Sequence, residues 1–213
     1  MQDAAAQPAL PPSRLTVQLG GVNVAAKVLA WLVVAVGLTV MADWFLGHTL
    51  LARLQSSQSS MKFNTALAFV LAGCAMSSLR PWVRGGLAAL TILLGAVSLA
   101  QTWFEVNVGI DEFFVRDSLS SDGSPAGRMA PPTASGFILA GLALLLMRNA
   151  VSRVRRLAEA LAIAVIAIGL VALFGHIVGA QQFYRLASFT PVALLTAFCF
   201  TLLGGSIMCA VPD

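Results

Sequence analysis

Six apolar stretches alternate with short polar ones along this chain. They cover residues 23–47, 62–79, 83–104, 131–147, 157–178 and 190–210. Most have the roughly 20 residues that a helix needs to cross about 30 Å of hydrocarbon, although the second and fourth are shorter. Backbone amides in lipid must be bonded within their own segment, so helices are the spanning form that this pattern favours. The sequence therefore predicts an all-α integral membrane protein with six transmembrane helices.

The segments between the apolar stretches carry the signals of helix ends. Thr190-Pro191 and Pro131-Pro132-Thr133 place prolines where a first helical turn accepts them. Residues 1–22 are polar and proline-rich, and we expect them to form a cytoplasmic tail before a six-helix membrane domain over 23–210. Residues 211–213 are then a cytoplasmic end, where we expect an output domain to follow in a longer protein.

Composition supports a protein that lives in lipid. The mean hydropathy is +0.86, and 58% of the residues are hydrophobic. Only 10% are charged, whereas about a quarter of the residues of a soluble domain are charged. The net charge of +4 does not indicate nucleic acid, because the arginines stand at the ends of apolar stretches. The three cysteines lie inside those stretches and show no metal-binding spacing.

The distribution of arginine predicts the orientation of the domain. Segment 148–156 has four arginines and no acid, whereas segment 105–130 has five acids and two arginines. Since positive charge favours the cytoplasmic side, both termini are predicted to be cytoplasmic and the 105–130 loop external. The first part of that loop is amphipathic and is expected to lie along the membrane interface.

An internal repeat is the most specific feature of the sequence. The pattern Thr-Ala-x-x-Phe-x-Leu-x-Gly begins at residues 65, 133 and 196, so its copies are 68 and 63 residues apart. At about 100° per residue, all but the leucine share one side of a helix. Such small residues let backbones approach closely, and a threonine hydroxyl can bond to a neighbouring helix. The residues expected to pack helices in this way are Thr65, Phe69, Gly73, Thr133, Phe137, Gly141, Thr196, Phe200 and Gly204.

From this repeat we predict three repeated helical hairpins in which the even-numbered helices form an inner layer. A pseudo-threefold arrangement is one way to pack them. We interpret the repeat first as a packing device, and the alternative is a ligand pocket between the repeats.

Polar residues inside apolar stretches are costly in lipid and are candidates for function. Those of this chain gather at the predicted external side, where they could line a cavity. They are Asp43, His48, Asn64, Gln101, Glu105 and His176. For Asp43 the alternative is a carboxylate that reaches out to the interface.

The two histidines raise the question of a cofactor. His48 and His176 fall at one depth, and imidazole is a ligand for haem iron and copper. We favour interfacial or hydrogen-bonding roles for both rings, because no second histidine pair completes a di-haem pattern. There is no Ser/His/Asp grouping, phosphate-binding glycine loop or His-Glu-x-x-His, so we expect no catalysis from this segment.

Several stretches resemble the six-helix N-terminal membrane region of certain bacterial sensor histidine kinases and diguanylate cyclases. The similar stretches are 61–73 around Asn64-Thr-Ala, Gly109-Ile-Asp-Glu112, Gly127-Arg-Met129, Phe189-Thr-Pro-Val-Ala-Leu-Leu-Thr-Ala197 and Pro212-Asp213. The resemblance covers about 25–213. The internal repeat is not uniform at the position before its threonine. That position is Asn64 in the first copy, Pro132 in the second and Leu195 in the third.

The resemblance implies a non-catalytic sensory domain in the bacterial inner membrane. Such a domain passes a change of state to a cytoplasmic kinase or cyclase, usually as a homodimer. The chain ends at Asp213 without such an output domain, so we expect either part of a longer signalling protein or a relative that lost its output. The alternatives are an accessory or scaffold subunit of a larger respiratory or photosynthetic complex and, less favoured, a transporter.

Overall fold

The structure, a computed structural model, describes residues 14–47, 60–115, 126–179 and 192–211, with side chains from residue 24 onward in the first range. Throughout these ranges the chain forms helices joined by turns and short extended segments, and it contains no strand. The six helices are α1 (Arg14–Phe45), α2 (Phe63–Ser77), α3 (Pro81–Trp103), α4 (Pro131–Leu146), α5 (Ser152–Val178) and α6 (Leu194–Ala210). The all-helical prediction is confirmed for this part of the chain.

Three of the helices are long and apolar enough to cross a membrane. These segments are Val24–Phe45, Pro81–Trp103 and Ser152–Val178, whereas α2, α4 and α6 are shorter apolar helices. At 1.5 Å per residue, the 22 residues of the first segment span about 33 Å. The 15 residues of α2 span only about 22 Å. Length and composition therefore divide the helices into two classes that alternate along the chain.

Three helix starts differ from the predicted ones by four residues or more. Helix α1 begins at Arg14 instead of 23, and α5 begins at Ser152 instead of 157, because hydropathy marks where a helix can meet lipid, whereas a helix can continue beyond it. In α5 three of the five added residues are arginine, which is a good helix former. Helix α6 begins at Leu194 instead of 190, because Ala193 before it is extended, so the prediction that Thr190-Pro191 begins this helix is wrong.

The short helices form the inner layer and the long helices surround them. Helices α2, α4 and α6 contact one another, whereas among the described residues α1, α3 and α5 do not. Helix α1 packs between α2 and α6, α3 between α2 and α4, and α5 between α4 and α6. Accordingly, ten of the fifteen residues of α2 are buried, against five of twenty-three in α3. These contacts confirm the expected inner position of the even-numbered helices.

Three phenylalanines meet where the inner helices touch. The ring centroids of Phe69 and Phe137 are 4.7 Å apart, those of Phe69 and Phe200 4.9 Å, and those of Phe137 and Phe200 5.0 Å. All three side chains are fully buried. Each ring comes from the phenylalanine of one copy of the sequence pattern, so the pattern supplies the centre of the bundle.

The glycine of each copy lies against the backbone of the preceding long helix. A Cβ atom built on Gly73, Gly141 or Gly204 would be 2.9 Å from the carbonyl oxygen of Ala30, Ala88 or Ala162, respectively. Such a distance leaves no room for a side chain. The backbones of α1 and α2, of α3 and α4, and of α5 and α6 therefore approach each other closely in the same way.

A second set of glycines, in the long helices, makes the reciprocal contact. A Cβ atom on Gly37, Gly95 or Gly169 would lie 2.9, 2.6 or 2.7 Å from the carbonyl oxygen of Ala66, Ala134 or Ala197. In each long helix an alanine and a glycine seven residues apart supply the two contacts. This spacing recurs three times in the sequence (Ala30 and Gly37, Ala88 and Gly95, Ala162 and Gly169), and the sequence analysis did not identify it.

Each short helix is preceded by buried, extended residues. Lys62, Ala130 and Ala193 precede α2, α4 and α6 with ψ angles of 152°, 142° and 149°. The residues before them (Met61, Met129 and Val192) are each 2% exposed. These extended segments bring non-helical backbone into the bundle, where its carbonyl groups need partners inside the protein.

We predict that Gly141→Ala destabilises the protein and Gly86→Ala does not. The new methyl group at 141 would meet the Ala88 carbonyl oxygen and the Ile92 side chain, whereas 86 has open space. Overpacking of this kind costs about 1–3 kcal/mol, and alanine in place of an exposed helical glycine gains up to about 1 kcal/mol. Thermal unfolding in detergent micelles measures both. Equal melting temperatures for the two variants would contradict the close approach of α3 and α4.

Candidate functional site

Asp111 and Arg128 form a buried ion pair at the ends of α2 and α3. Asp111 is 5% and Arg128 7% exposed, and Arg128 Nε lies 3.1 Å from Asp111 Oδ2. The guanidinium also donates from Nη1 to the Gln101 carbonyl oxygen at 3.3 Å and from Nη2 to the Val106 carbonyl oxygen at 3.0 Å. Arg128 thus joins the segment before α4 to the end of α3 and the residues that follow it.

Two amide side chains complete this arrangement. Gln101 Nε2 donates to Asp111 Oδ2 at 2.9 Å. Asn64 Nδ2, from the first turn of α2, donates to the Ile110 carbonyl oxygen at 3.0 Å and lies 3.4 Å from the Asp111 carbonyl oxygen. We call these four residues, Asn64, Gln101, Asp111 and Arg128, the Asp111 cluster.

The chain reaches this geometry through tight turns after α3. Glu105 has φ +54°, and Gly109 has φ +81° while its N–H donates to Asn107 Oδ1 at 2.9 Å. We call residues 104–115 the connector, because they lead away from α3 towards α4. Gly127 has φ +69° and lies directly against the Asp111 backbone, where a Cβ would be 2.9 Å from the Asp111 carbonyl carbon. A side chain at 127 would therefore push the connector away from Arg128.

Two acceptor atoms in the cluster have no hydrogen-bond partner among the described residues. They are Gln101 Oε1 and Asp111 Oδ1, and both are buried. Because a carboxylate cannot donate, the Gln101 amide must turn its nitrogen towards Asp111, which leaves its oxygen without a partner. A buried acceptor without a partner costs about 1–3 kcal/mol. The cluster is therefore closed and charge-neutral, but it is incompletely satisfied.

The structure brings together two of the six predicted site residues. Asn64 and Gln101 both bind the Asp111 segment, and Asp43 is buried at 3% exposure near the end of α1. Glu105 is exposed, because the chain turns at this residue and its side chain is left outside the cluster. His48 lies outside the described residues.

His176 has a different partner from the one that a metal site would require. Its Nε2 is 2.8 Å from the Val192 carbonyl oxygen. A carbonyl only accepts, so this nitrogen carries the proton. Trp44 Nε1 makes the corresponding bond to the Met61 carbonyl oxygen at 2.9 Å. Both rings thus donate a hydrogen bond to a backbone carbonyl oxygen in the extended segments before α6 and α2. Within the described ranges, no three His, Cys, Asp or Glu side chains gather as a metal site would require.

The sequence analysis did not select Asp111 and Arg128 as site residues. Both belong to stretches on which the family resemblance rests, Gly109-Ile-Asp-Glu112 and Gly127-Arg-Met129. A usable signal was present, because each charged residue stands next to an apolar one, Ile110 or Met129, in those stretches. The sequence could not show that the two meet across seventeen residues.

The nine residues of the repeat are buried inside the bundle, and none of them belongs to the Asp111 cluster. All three threonines are 2% exposed, and the phenylalanines and glycines make the contacts described above.

No protein-family model, curated protein or solved structure matches this chain. Interpretation of the site therefore rests on its own geometry.

We predict that Asp111→Asn and Arg128→Met each destabilise the protein strongly, by about 3–5 kcal/mol, because each leaves one buried charge without its partner. The double variant should lose clearly less than the sum of the two. The matched control is Glu105→Gln, which removes an exposed carboxylate from the same connector and should change stability by about 0.5 kcal/mol or less. Unfolding by denaturant in mixed micelles measures all four. Additive losses would show that the two charges do not interact.

A second prediction compares two glycines with positive φ in the same region. Gly127→Ala and Gly109→Ala both force alanine into a left-handed conformation, but only at 127 does the new methyl group meet the Asp111 backbone. We expect Gly127→Ala to lower the thermal midpoint more than Gly109→Ala. If the two losses were equal, conformational strain alone would explain them and the contact with Asp111 would have no energetic role.

Proposed function

We propose that this chain is the membrane-embedded input domain of a bacterial signal-transduction protein. In this proposal it crosses the inner membrane six times as three repeated helical hairpins, with both termini in the cytoplasm. It has no catalytic role of its own and passes a change of state to an output domain, as a homodimer. The observation that carries the proposal is the Asp111 cluster, a buried and incompletely satisfied set of bonds that holds one external connector against two helices.

The six-span arrangement is supported by how the short helices are enclosed. Non-helical backbone at membrane depth is tolerated where protein covers it, and the residues before α2, α4 and α6 are buried in this way. The three long helices supply the outer surface, where at most a third of each apolar window is buried inside the protein. Short inner helices can therefore complete a crossing with their extended segments.

Charge burial supports the orientation. Among the described residues, Lys62 and Arg128 lie at the end predicted to be external and are 8% and 7% exposed, so neither acts as a free loop charge. At the opposite end, Arg80, Arg148 and Arg153 are exposed. Exposed arginines at that end support its cytoplasmic position.

The Asp111 cluster has the properties of a two-state element. Its closed form neutralises both charges but leaves two acceptors without a partner among the described residues, so any movement that gives them donors repays part of the cost of opening. A stimulus acts on such an equilibrium only if it favours one of the two states. A cluster with all its bonds satisfied would resist opening much more strongly.

Movement at the cluster has a route to α6, the helix that would lead to an output domain. Asn64 lies on α2 and Arg128 precedes α4, and both helices pack against α6 through Phe69, Phe137 and Phe200. Helix α6 is also tied at its far end, where Ser206 Oγ donates to the Ala26 carbonyl oxygen at 2.6 Å. A shift of α2 and α4 therefore acts on a helix with defined contacts in its middle and near its C-terminal end.

Topology is tested by labelling single cysteines in intact cells and in opened membranes. We would introduce Ser120→Cys and Ser152→Cys into a chain whose three native cysteines are replaced by alanine. With six spans, an impermeant reagent should label position 120 from outside and position 152 only after the membrane is opened. If only the three long helices crossed, both positions would lie on one side and would be labelled together.

Signalling is tested by joining the chain after Asp213 to a diguanylate cyclase domain. We expect Asp111→Asn to shift basal cyclase activity severalfold at unchanged membrane expression, while Glu105→Gln leaves it near that of the parent. Unchanged activity for Asp111→Asn, together with stoichiometric co-purification of the chain with a large membrane complex, would favour the role of accessory subunit.

A further inference from the structure

A group of exposed aromatic side chains lies at the same end of the bundle as the Asp111 cluster. We call Phe45, Trp103, Phe104, Phe113 and Phe114 the aromatic shelf. Their exposed fractions run from 54% for Phe114 to 78% for Trp103. Phe45 is the last residue of the apolar segment in α1, and Trp103 is the last residue of α3. The shelf therefore begins where two membrane-length helices end.

Ring contacts make part of the shelf continuous across three elements. The centroids of Phe45 and Phe63 are 5.5 Å apart, those of Phe63 and Phe114 5.3 Å, and those of Phe114 and Phe113 5.0 Å. Phe63 itself is buried at 5% exposure beneath these rings. The end of α1, the start of α2 and the connector are thus linked by one aromatic band.

The connector has two faces of opposite character. On its inner face, Asp111 is buried against Arg128, and the Ile110 and Val106 carbonyl oxygens accept bonds from the cluster. On its outer face, Val106 and Val108 are exposed at 50% and 64% alongside the shelf. One short segment therefore joins a charged, protein-facing side to an apolar side that no other described residue covers.

The position of the shelf identifies what covers it. It continues the lipid-length apolar surfaces of α1 and α3 up to their last residues, and aromatic side chains are enriched at the level of the lipid headgroups. The connector has two exposed acidic side chains, Glu105 and Glu112, and both can reach water from the level of the headgroups. A bilayer interface meets both the apolar and the polar requirements of this surface.

We propose that the aromatic shelf is seated in the external lipid interface and that the stimulus of this domain is the state of the bilayer itself, its hydrocarbon thickness and lateral packing. This inference rests on the proposed function for its orientation and its output. Hydrophobic mismatch makes a membrane segment tilt or reposition. Because the shelf and Asp111 share the connector, a shelf that follows the lipid interface pulls Asp111 relative to Gln101 and Arg128.

Lipid contact is tested with tryptophan fluorescence of the full chain in lipid nanodiscs. One variant carries Trp31→Phe and Trp82→Phe and so keeps Trp44 and Trp103. The matched control adds Trp103→Phe and keeps only Trp44, which is 3% exposed. The difference between the two gives the signal of Trp103. We expect lipids brominated close to the headgroup to quench this signal severalfold more than iodide in water does.

Two quenching results would overturn the lipid contact. Quenching of Trp103 by iodide and not by brominated lipid would place the shelf in water. Protection from both quenchers would mean that another protein chain covers it.

Coupling is tested by hydrogen exchange of the connector amides in nanodiscs with acyl chains of about 14 and about 22 carbons, whose hydrocarbon cores differ in thickness. We expect the rate of exchange over 104–115 to differ severalfold between the two bilayers. The double variant Phe113→Ser and Phe114→Ser should respond much less, while Leu90→Ser, an exposed change in the middle of α3, should respond like the parent.

Equal exchange in both bilayers would overturn the bilayer as stimulus. The cysteine labelling and the cyclase fusion do not depend on that result. Their success beside a failure here would leave a six-span sensor of some soluble ligand, so the two failures are distinguishable.

Discussion

The close approach of backbones within each pair of successive helices is the contact from which the rest of the fold follows. Glycine on one helix meets an alanine carbonyl group on the other, twice in each pair. Because a Cβ does not fit at these positions, the helix separation is fixed by backbone and not by side-chain choice. In a protein surrounded by lipid, such packing replaces the hydrophobic driving force that water would supply.

This spacing determines what the centre of the bundle contains. With α2, α4 and α6 brought inward by their partners, three phenylalanine rings fill the space between them. The inner helices can then be shorter than the outer ones, since protein covers the extended residues before them. Those residues expose carbonyl groups within the protein, and the Trp44 and His176 rings satisfy two of them. The ring N–H groups of these two side chains thus serve backbone carbonyl groups.

The second of the three helix pairs departs from this simple scheme. Its connector places Asp111 and Arg128 inside the protein, where neither charge is tolerated alone. Gln101 and Asn64 bond to the same segment, yet two acceptors find no partner in the part of the chain that the structure describes. A structure selected for stability alone has no need of this pair, because an apolar pair of similar volume is often at least as stable. The energetic cost of the cluster, together with its link to the aromatic shelf through the connector, is the physical basis for the proposed sensory role.

The sequence by itself determined the apolar segments, the helices that they form and the stripe that packs them. These are local properties: hydropathy depends on composition over about 20 residues, and the stripe depends on helical periodicity, as Phe69 and Gly73 illustrate. It also identified Asn64 and Gln101 as unusual polar residues. Only the tertiary structure decided their partners, because Asp111 and Arg128 meet through turns at Glu105, Gly109 and Gly127 that no periodic pattern encodes. The same turns left Glu105 outside the site, and the reciprocal glycines of the long helices acquired meaning only once the facing alanine carbonyl groups were in place.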